Sequence, residues 1–423
     1  MKRTVGAGIA LLTLGAAVVG LGPREVGKTA AAHASKTPAR ELPTFQVDPS
    51  WPKKLPNNWV MGSVSGVNVD AQDHVWVITR PREVVKPEWV VGPTIANGPD
   101  MQLKENPSSK APPVIEFDAE GNYIQGWGGP GAGYEWPKAE HGISVDSKGY
   151  VWIAGRGEKD SQILKFTNTG KFVLQIGHWG QSKGNTDPAN LNLPADVTVY
   201  PQTNEVFVAD GYGNRRVIVF DADTGKFKRM WGAFGNLPTD PKPGEALFAS
   251  DDDAEGPGPQ QFSTNVHGVR VSNDGLVYVC DRRNKRVQVF TLDGKYVSQV
   301  FISRGEMAPS TATGTLFGYP RKEVGDKMLK APEAASRTTF SPDPQQRFLY
   351  VRDRRHQRIL ILDGKMLEIL DSFGGGVGDQ PGQFYILNDM ATDSRGNFYT
   401  AETNQNSRAQ TFVFKGMVSA PAK

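Results

Sequence analysis

Two histidines and one asparagine stand at matching positions of a repeated sequence pattern. His141, His267 and Asn388 directly precede the pairs Gly-Ile, Gly-Val and Asp-Met, each within a short apolar run. Two imidazoles brought together suit a divalent metal such as zinc. Taken singly, each histidine is also consistent with a hydrogen-bonded channel residue. Their shared position therefore favours a metal site at His141 and His267, with Asn388 near it, as much as it favours hydrogen-bonded channel residues.

A second set of reactive side chains comprises Arg80, Tyr212 and Arg282. Each lies at the start of the turn that follows the second strand-like run of its repeat. Arginine stays protonated near neutral pH, so it can anchor a carboxylate or stabilise developing negative charge. A tyrosine beside a metal and two guanidiniums can have a lowered pKa and act as a base. The alternative is that segments 210–214 and 281–284 are turn chemistry, in which Asp and Asn cap tight turns.

The elements that must position these residues are short strands, repeated six times. Residues 194–290 contain two copies of a pattern of three β-branched, alternating runs, and further copies start near residues 66, 141, 338 and 388. A fourth run rich in glycine and aromatic residues follows many copies. This pattern predicts an all-β fold, a six-bladed β-propeller. Because the first strand of each blade lines the central channel, the matching positions should converge there.

The two ends of the pattern predict how the ring closes. The sixth copy stops after its third run, at residues 410–414, and residues 45–47 are the natural fourth strand. We therefore expect a ring closed by an N-terminal strand, which leaves no free sheet edge. Insertions at 81–112, 236–261 and 303–336 are too long for simple turns and are expected to cover one mouth of the channel.

The N-terminus has the pattern of an export signal. Lys2 and Arg3 precede an apolar run at 5–22, and residues 32–34 (Ala-His-Ala) offer a cleavage site. We predict a signal peptide at 1–34, a linker at 35–43, the propeller at 44–417 and a tail at 418–423. The protein is then periplasmic or extracellular, and it contacts a membrane only if the signal segment stays uncleaved.

Charge and cysteine content exclude other classes of function. Without residues 1–34 the acidic and basic residues are equal in number, so the chain lacks the sustained basic surface that nucleic-acid binding needs. Cys280 is the single cysteine, which excludes an intrachain disulfide and is expected to be buried rather than reactive. We expect a monomer that takes a small-molecule or peptide-like substrate.

The repeats resemble NHL repeats, and most of residues 60–420 resembles the peptidyl-α-hydroxyglycine α-amidating lyase family of six-bladed propellers. The segments that carry the likeness are 64–67, 141–146, 210–216, 266–267 and 281–284. In that family three channel histidines hold zinc, and the match places His141 and His267 on two of them. A tyrosine and two arginines surround the family's substrate, and the residues that match them are Tyr212, Arg80 and Arg282.

The resemblance also implies a structural calcium on two backbone carbonyls and one carboxylate, at Val67, Ile143 and Asp389. Two positions depart from the family pattern. Asn388 replaces the third zinc histidine, and an amide oxygen is a poorer zinc ligand than imidazole, so another divalent transition metal is also considered. Gly213 replaces a cysteine of the family, so the disulfide that braces this turn is absent.

Two classes of function follow. The first is a metal-dependent lyase that cleaves the N–C bond of an α-hydroxyglycine-like substrate and releases an amide and glyoxylate. In it, Tyr212 would take a proton, and Arg80 with Arg282 would hold the carboxylate. The second is a non-catalytic propeller that binds a ligand or a protein partner, since fold alone does not fix activity. A lactonase-like hydrolase is a weaker third reading, because it relies on a channel glutamate that the pattern does not place.

Overall fold

The computed structural model describes residues 40–81, 110–246, 255–305, 333–403 and 406–419, together with the backbone of residues 315–316 and 319–320. The stretch Glu41–Ser419 forms one unit. Several predicted segments lie outside the described residues: the signal peptide, most of the insertions 81–112 and 303–336, and residues 247–254 of the insertion 236–261. None of the helices in the described ranges has the length and apolar character needed to cross a bilayer.

Six antiparallel four-stranded sheets form the blades, which confirms the predicted six-bladed β-propeller. Blade 6 is completed by the N-terminal strand β1 (Glu41–Asp48). Blade 1 contains β2 (Ser63–Val69), β3 (Val75–Arg80), β4 (Val114–Phe117) and β5 (Tyr123–Trp127). Blade 2 contains β6 (Glu140–Val145), β7 (Val151–Gly155), β8 (Ile163–Phe166) and β9 (Phe172–Ile176). Blade 3 contains β10 (Asp196–Tyr200), β11 (Glu205–Asp210), β12 (Arg216–Asp221) and β13 (Phe227–Trp231).

The second half of the ring repeats this order. Blade 4 contains β14 (Val266–Val271), β15 (Leu276–Asp281), β16 (Arg286–Thr291) and β17 (Tyr296–Phe301). A two-stranded ribbon, β18 (Thr315–Leu316) and β19 (Tyr319–Pro320), separates it from blade 5. Blade 5 contains β20 (Ala335–Phe340), β21 (Phe348–Asp353), β22 (Arg358–Asp363) and β23 (Ile369–Phe373). Blade 6 adds β24 (Leu387–Thr392), β25 (Phe398–Glu402) and β26 (Ala409–Ser419) to β1.

The ring closes through β1, as the sequence predicts. Phe45 lies opposite Phe414 of β26, in an antiparallel ladder that starts with Glu41 opposite Ser419. The strands thus reach slightly beyond the predicted domain limits of 44 and 417. The ring of Phe45 also stacks on Phe373 of blade 5, with ring centroids 4.4 Å apart. The closing strand therefore joins two blades rather than one.

The core lies between neighbouring blades. Successive residues of a strand point to opposite faces of its sheet, so an apolar run can pack against two neighbours. In β11, Val206 and Val208 belong to the apolar cluster shared with blade 2, whereas Phe207 and Ala209 belong to the cluster shared with blade 4. All four side chains are fully buried. This explains why the central runs are apolar throughout.

Paired acidic and arginine residues hold the turns after the second strands. The Arg216 Nε donates to Asp210 at 2.9 Å, and the Arg286 Nε donates to Asp281 at 2.9 Å, with all four side chains inaccessible to solvent. Blades 5 and 6 repeat the pair as Asp353–Arg358 and Glu402–Arg408. Turn chemistry therefore accounts for these acidic residues, but not for the side chains that follow them in the same turns.

Candidate functional site

The two predicted metal ligands lie side by side in the channel. His141 and His267 are the second residues of β6 and β14, the first strands of blades 2 and 4, and both are fully buried. Their ring centroids are 5.0 Å apart, and the ring planes are inclined by 82°. Each residue sits at an irregularity in the pairing of its strand. Such bulges redirect a side chain, which here turns both imidazoles towards the same point.

Hydrogen bonds to backbone carbonyls fix the tautomer of each histidine. The Nδ1 of His141 donates to the Ala195 carbonyl at 2.7 Å, and the Nδ1 of His267 donates to the Ser336 carbonyl at 2.9 Å. A carbonyl only accepts, so Nδ1 carries the proton. Burial, reinforced by nearby guanidiniums, lowers the pKa of both imidazoles well below its usual value. Both rings are therefore neutral, and each keeps a lone pair on Nε2.

Asn388 completes a threefold pattern around the channel. Its Nδ2 donates to the Ser65 carbonyl at 2.5 Å. In blades 2, 4 and 6, the side chain at this position thus donates to a carbonyl within, or directly before, the first strand of the next blade. With Nδ2 engaged in this way, the remaining polar atom of Asn388 is Oδ1, an acceptor that corresponds to the Nε2 of a histidine.

The phenol of Tyr212 meets both imidazoles. Its Oη lies 3.1 Å from the Nε2 of His141 and 3.0 Å from the Nε2 of His267. A phenol has one proton, so it can donate to only one of these two lone pairs at a time. The arrangement fits a divalent metal, since a cation would be attractive to both nitrogens and to the phenolic oxygen. The residues that would hold it are His141 and His267, with Asn388 as a weaker third ligand.

The turn that carries Tyr212 fits tightly against its surroundings. Gly211 lies so close to blade 4 that an added Cβ would be 2.0 Å from the Val266 carbonyl oxygen. The N–H of Tyr212 donates to the Leu193 carbonyl at 3.2 Å, and the N–H of Gly213 donates to the Asn192 carbonyl at 2.9 Å. These backbone contacts hold the turn in place. In the lyase family that the sequence resembles, a disulfide braces the corresponding turn.

The two predicted arginines also reach this site. The Nη1 of Arg282 donates to the Tyr212 Oη at 3.3 Å. The Nε of Arg80 donates at 2.6 Å to the carbonyl of Glu140, the residue before His141. The structure thus brings the predicted histidines, tyrosine and arginines together.

Sequence reasoning missed two further arginines of the site. The guanidinium of Arg156 lies 5.3 Å from the centre of the Tyr212 ring, which is a favourable cation–π geometry. Arg354 pairs with Glu333, which also pairs with Arg282 at 3.0 Å. Four blades place an arginine directly after or at the end of their second strand: Arg80, Arg156, Arg282 and Arg354. That shared position is the signal that would have found both.

These charges set the electrostatics of the site. Burial acts to raise the pKa of the Tyr212 phenol, but Arg282, Arg156, Arg354 and Arg80 together outweigh it and lower the pKa below its usual value. A lowered pKa favours the phenolate, the form in which a tyrosine acts as a base. Burial likewise acts to raise the pKa of Glu333, yet its arginine partners lower it to about 2. Glu333 is therefore ionised and offsets part of the positive charge.

The calcium ligands implied by the resemblance lie in a different environment. Arg337 of β20 is fully buried, with its Nε 3.2 Å from Oδ1 of Asp389 and its Nη1 in an ion pair with Asp196. Arg270 donates to Asp196 at 2.5 Å and lies 3.8 Å from Asp389. We call these two carboxylates and two guanidiniums the channel quartet. Its formal charges cancel.

The channel quartet does not fit a calcium ion. Asp389 accepts from the backbone N–H of Val67 at 3.3 Å and from that of Met390 at 2.9 Å, while Arg337 faces its Oδ1. A calcium ion at this carboxylate would lie against a guanidinium of like charge. Ile143 is buried in β6, in the ladder with β7. Among the described residues, the partners of Asp389 are thus an arginine and two backbone N–H groups, and the calcium site stays a prediction.

His74, His178 and His356 lie in loops. In one of these loops, His74 forms a cluster with Asp70 and Glu116, and its Nδ1 is 2.7 Å from Glu116 Oε1. His178 and His356 lie near single carboxylates. Asp70 accepts from the Trp76 indole and Glu116 accepts from Gln125, so the cluster is accounted for by hydrogen bonds.

Cys280 is fully buried in β15, and burial raises the pKa of its thiol to about 12. A protonated, inaccessible thiol is a poor nucleophile. The structure thus agrees with the prediction of a buried cysteine.

Comparison with known proteins supports the fold and the resemblance. Residues 264–290 match the NHL repeat family. The chain contains an NHL repeat. Peptidyl-glycine alpha-amidating monooxygenase of Mus musculus is 30% identical over 188 residues, which is 43% of this chain and 17% of that protein.

Two further relatives have lengths closer to that of this chain. A probable peptidyl-alpha-hydroxyglycine alpha-amidating lyase of Caenorhabditis elegans is 30% identical over 185 residues, 43% of this chain and 45% of that protein. NHL repeat-containing protein 3 of Mus musculus is 24% identical over 260 residues, 60% of this chain and 58% of that protein. The chain thus spans less than two thirds of the length of the curated relatives it matches.

Proposed function

We propose that the protein is a metal-dependent lyase that cleaves the N–C bond of an α-hydroxyglycine-type substrate and releases an amide and glyoxylate. The observation that carries the proposal is the meeting of two neutral imidazoles at the Tyr212 phenol. Relatives named as amidating lyases add support. The arrangement combines a metal-binding pair with a base of lowered pKa in one buried site.

In this proposal, arginine side chains bind the substrate carboxylate. Arg80 and Arg282 flank the imidazole pair from blades 1 and 4, and both are almost completely buried. Guanidiniums bind carboxylates through paired hydrogen bonds, and such bonds are stronger where water is excluded. Arg282 also contacts Tyr212, so a carboxylate bound there would place the adjacent carbon close to the base.

Tyr212 performs the proton transfer in this proposal. As the phenolate it takes the proton of the substrate hydroxyl, and the hydroxyl oxygen becomes the aldehyde oxygen of glyoxylate. The N–C bond breaks with its electron pair staying on nitrogen, and the Tyr212 phenol returns the proton to that nitrogen. A divalent metal held by His141 and His267 would polarise the hydroxyl or the carboxylate when bound. The step needs no oxidant, because the proton only moves from oxygen to nitrogen.

The direct test is glyoxylate release from a benzoyl α-hydroxyglycine by purified protein loaded with zinc, manganese or iron. We expect release above the uncatalysed rate with at least one metal, and metal analysis of the same preparation should find about one ion per chain. Release no faster than the uncatalysed rate with all three metals would disprove the chemistry.

A second candidate is a propeller that binds an anionic ligand without turning it over. It is favoured by Asn388, which supplies an amide where a third imidazole would strengthen the metal site. It is also consistent with the relative named only for its NHL repeats. Binding of a carboxylate without glyoxylate release in the same assay would favour this candidate.

A further inference from the structure

Arg352 is a buried arginine at a position that other blades fill with small or apolar residues. It lies in β21, and in the strand registers its counterparts are Ile78, Ala154, Ala209, Cys280 and Ala401. Its side chain is 1% exposed. Within the described part of the chain, Nε, Nη1 and Nη2 of Arg352 all lack a hydrogen-bond partner.

The guanidinium of Arg352 acts on the candidate site. Its charge helps to lower the pKa of His267, and Tyr212 in turn favours the charged form of Arg352. Burial lowers the pKa of Arg352 well below its usual value, and Arg354 and Arg282 lower it further. Arg352 is two residues before Arg354, which shares Glu333 with Arg282, and Arg282 in turn donates to Tyr212.

A buried cation without hydrogen bonds is costly unless a negative group meets it. Glu333 pairs with Arg282 and Arg354, yet the pKa of Arg352 stays lowered in spite of it. Glu333 therefore pairs with two of these guanidiniums, while the guanidinium of Arg352 itself has no hydrogen-bond partner in the described part of the chain. A ligand that brings negative charge would remove this cost.

We propose that Arg352, together with Arg354, forms a second acid-binding position beside Tyr212, so that the ligand of this site is a small dicarboxylate. One carboxylate would lie on Arg80 and Arg282, and the other on Arg352 and Arg354. The inference rests on the proposed function for the placement of the first carboxylate. It does not depend on turnover.

Calorimetric titration of the full chain tests the inference. The probes are malonate, succinate and glutarate, compared with acetate and propionate at one ionic strength. At least one dicarboxylate should bind about tenfold to a hundredfold more tightly than the monocarboxylates, which is the range expected for one additional charged hydrogen-bonding group. Arg352→Met should remove this difference, whereas Arg347→Met, at an exposed arginine of the same blade, should keep it.

A thermal melt of Arg352→Met separates ligand binding from a structural role. Replacing an unpaired buried charge by an apolar side chain of similar size should leave the melting temperature unchanged or raise it. Equal affinity for mono- and dicarboxylates, a preference that survives in Arg352→Met, or no binding of any probe would each overturn the inference. Dicarboxylate binding that depends on Arg352 without glyoxylate release would uphold it and reject the lyase proposal instead.

Discussion

Two neighbouring levels of the channel use the same residue types in opposite ways. In the channel quartet, Arg337 and Arg270 face Asp196 and Asp389, so two positive and two negative charges meet. At the level of Tyr212, several guanidiniums surround one phenol, and Glu333 offsets only part of their charge. The charges of the channel quartet cancel one another. At the level of Tyr212, the described guanidiniums outnumber the described carboxylates that pair with them.

The difference separates structural charges from functional ones. When a buried charged group has partners from the chain itself, its attraction to them offsets the free-energy cost of desolvation in the folded state. A buried group that lacks such partners lowers stability, and this cost is recovered only when something binds. Removing an arginine should therefore cost stability at the channel quartet, and activity or binding at the level of Tyr212. Glu333 is the exception at the second level, because its partners are arginines of the chain itself.

Tyr212→Phe is expected to have the largest effect. It removes the proposed base, and a general base typically contributes about 10²–10⁴-fold to a rate. Glyoxylate release should fall on that scale, with little change in melting temperature. Tyr123→Phe, which removes a phenolic hydroxyl from the outer strand of blade 1, should keep full activity. Equal rates for wild type and Tyr212→Phe would make Tyr212 a bystander.

Arg337→Met should act on stability. It leaves Asp196 and Asp389 buried with one partner fewer, and breaking a buried pair typically costs about 3–5 kcal/mol in the free energy of unfolding. Added calcium should restore part of this loss, because the carboxylates become available as ligands. Denaturant unfolding with and without calcium measures both effects.

The matched control is Arg216→Met, which breaks another fully buried pair in blade 3. It should be destabilised without being rescued by calcium. Wild type should have the same melting temperature with and without the chelator EGTA. A clear drop with EGTA would mean that calcium binds in spite of Arg337.

Glu333→Gln tests the partial balance at the level of Tyr212. The pKa of Glu333 is lowered to about 2 from a usual value of 4.5, so its ion pairs stabilise the fold above pH 4.5 and are lost as the pH falls from 4.5 towards 2. The variant should lose up to about 3 kcal/mol at pH 7. Between pH 4.5 and 2, its stability should fall less than that of wild type.

Unfolding free energies across that pH range measure the difference, and Glu158→Gln, at an exposed loop position, should behave as wild type. Parallel curves for Glu333→Gln and wild type would show that its ion pairs contribute nothing to stability.

Asn388→His should sharpen the metal site. It supplies a third imidazole in the threefold pattern, and imidazole is a better zinc ligand than an amide. Competition with a chromophoric chelator should show zinc binding about tenfold tighter or more, a gain of about 1.4 kcal/mol. The surface variant Asn273→His should not change the affinity. An unchanged affinity in Asn388→His would place residue 388 outside the metal's reach.

The fold could be predicted from sequence because each blade is a local pattern. Three alternating runs and their turns lie within a short stretch, so the six copies and the missing strand of the last one are visible directly. The pairing of residues 45–47 with residues 410–414 followed from the same count. The histidines, Tyr212 and the two predicted arginines were found by equal position in the repeats. Arg156 and Arg354 share that position and were overlooked.

The channel quartet could not be predicted in this way. Asp196, Arg337 and Asp389 belong to blades 3, 5 and 6, and their charges compensate one another only once the ring has closed. No spacing in the sequence encodes that meeting. Arg352 is hidden for a related reason, since an arginine inside an apolar run indicates a surface residue until its burial is known.

The closing strand also sets the order of events during folding. Thr44 donates its hydroxyl proton to the Gly416 carbonyl, a partner 372 residues along the chain. Closing a loop of that length costs on the order of 5 kcal/mol in chain entropy, and it is recovered only when β1 and β26 pair. β1 is thus synthesised long before β26 and is among the last of the described strands to find its place. Until then blade 6 has an open edge, and the slowest step of folding should be the joining of the two ends.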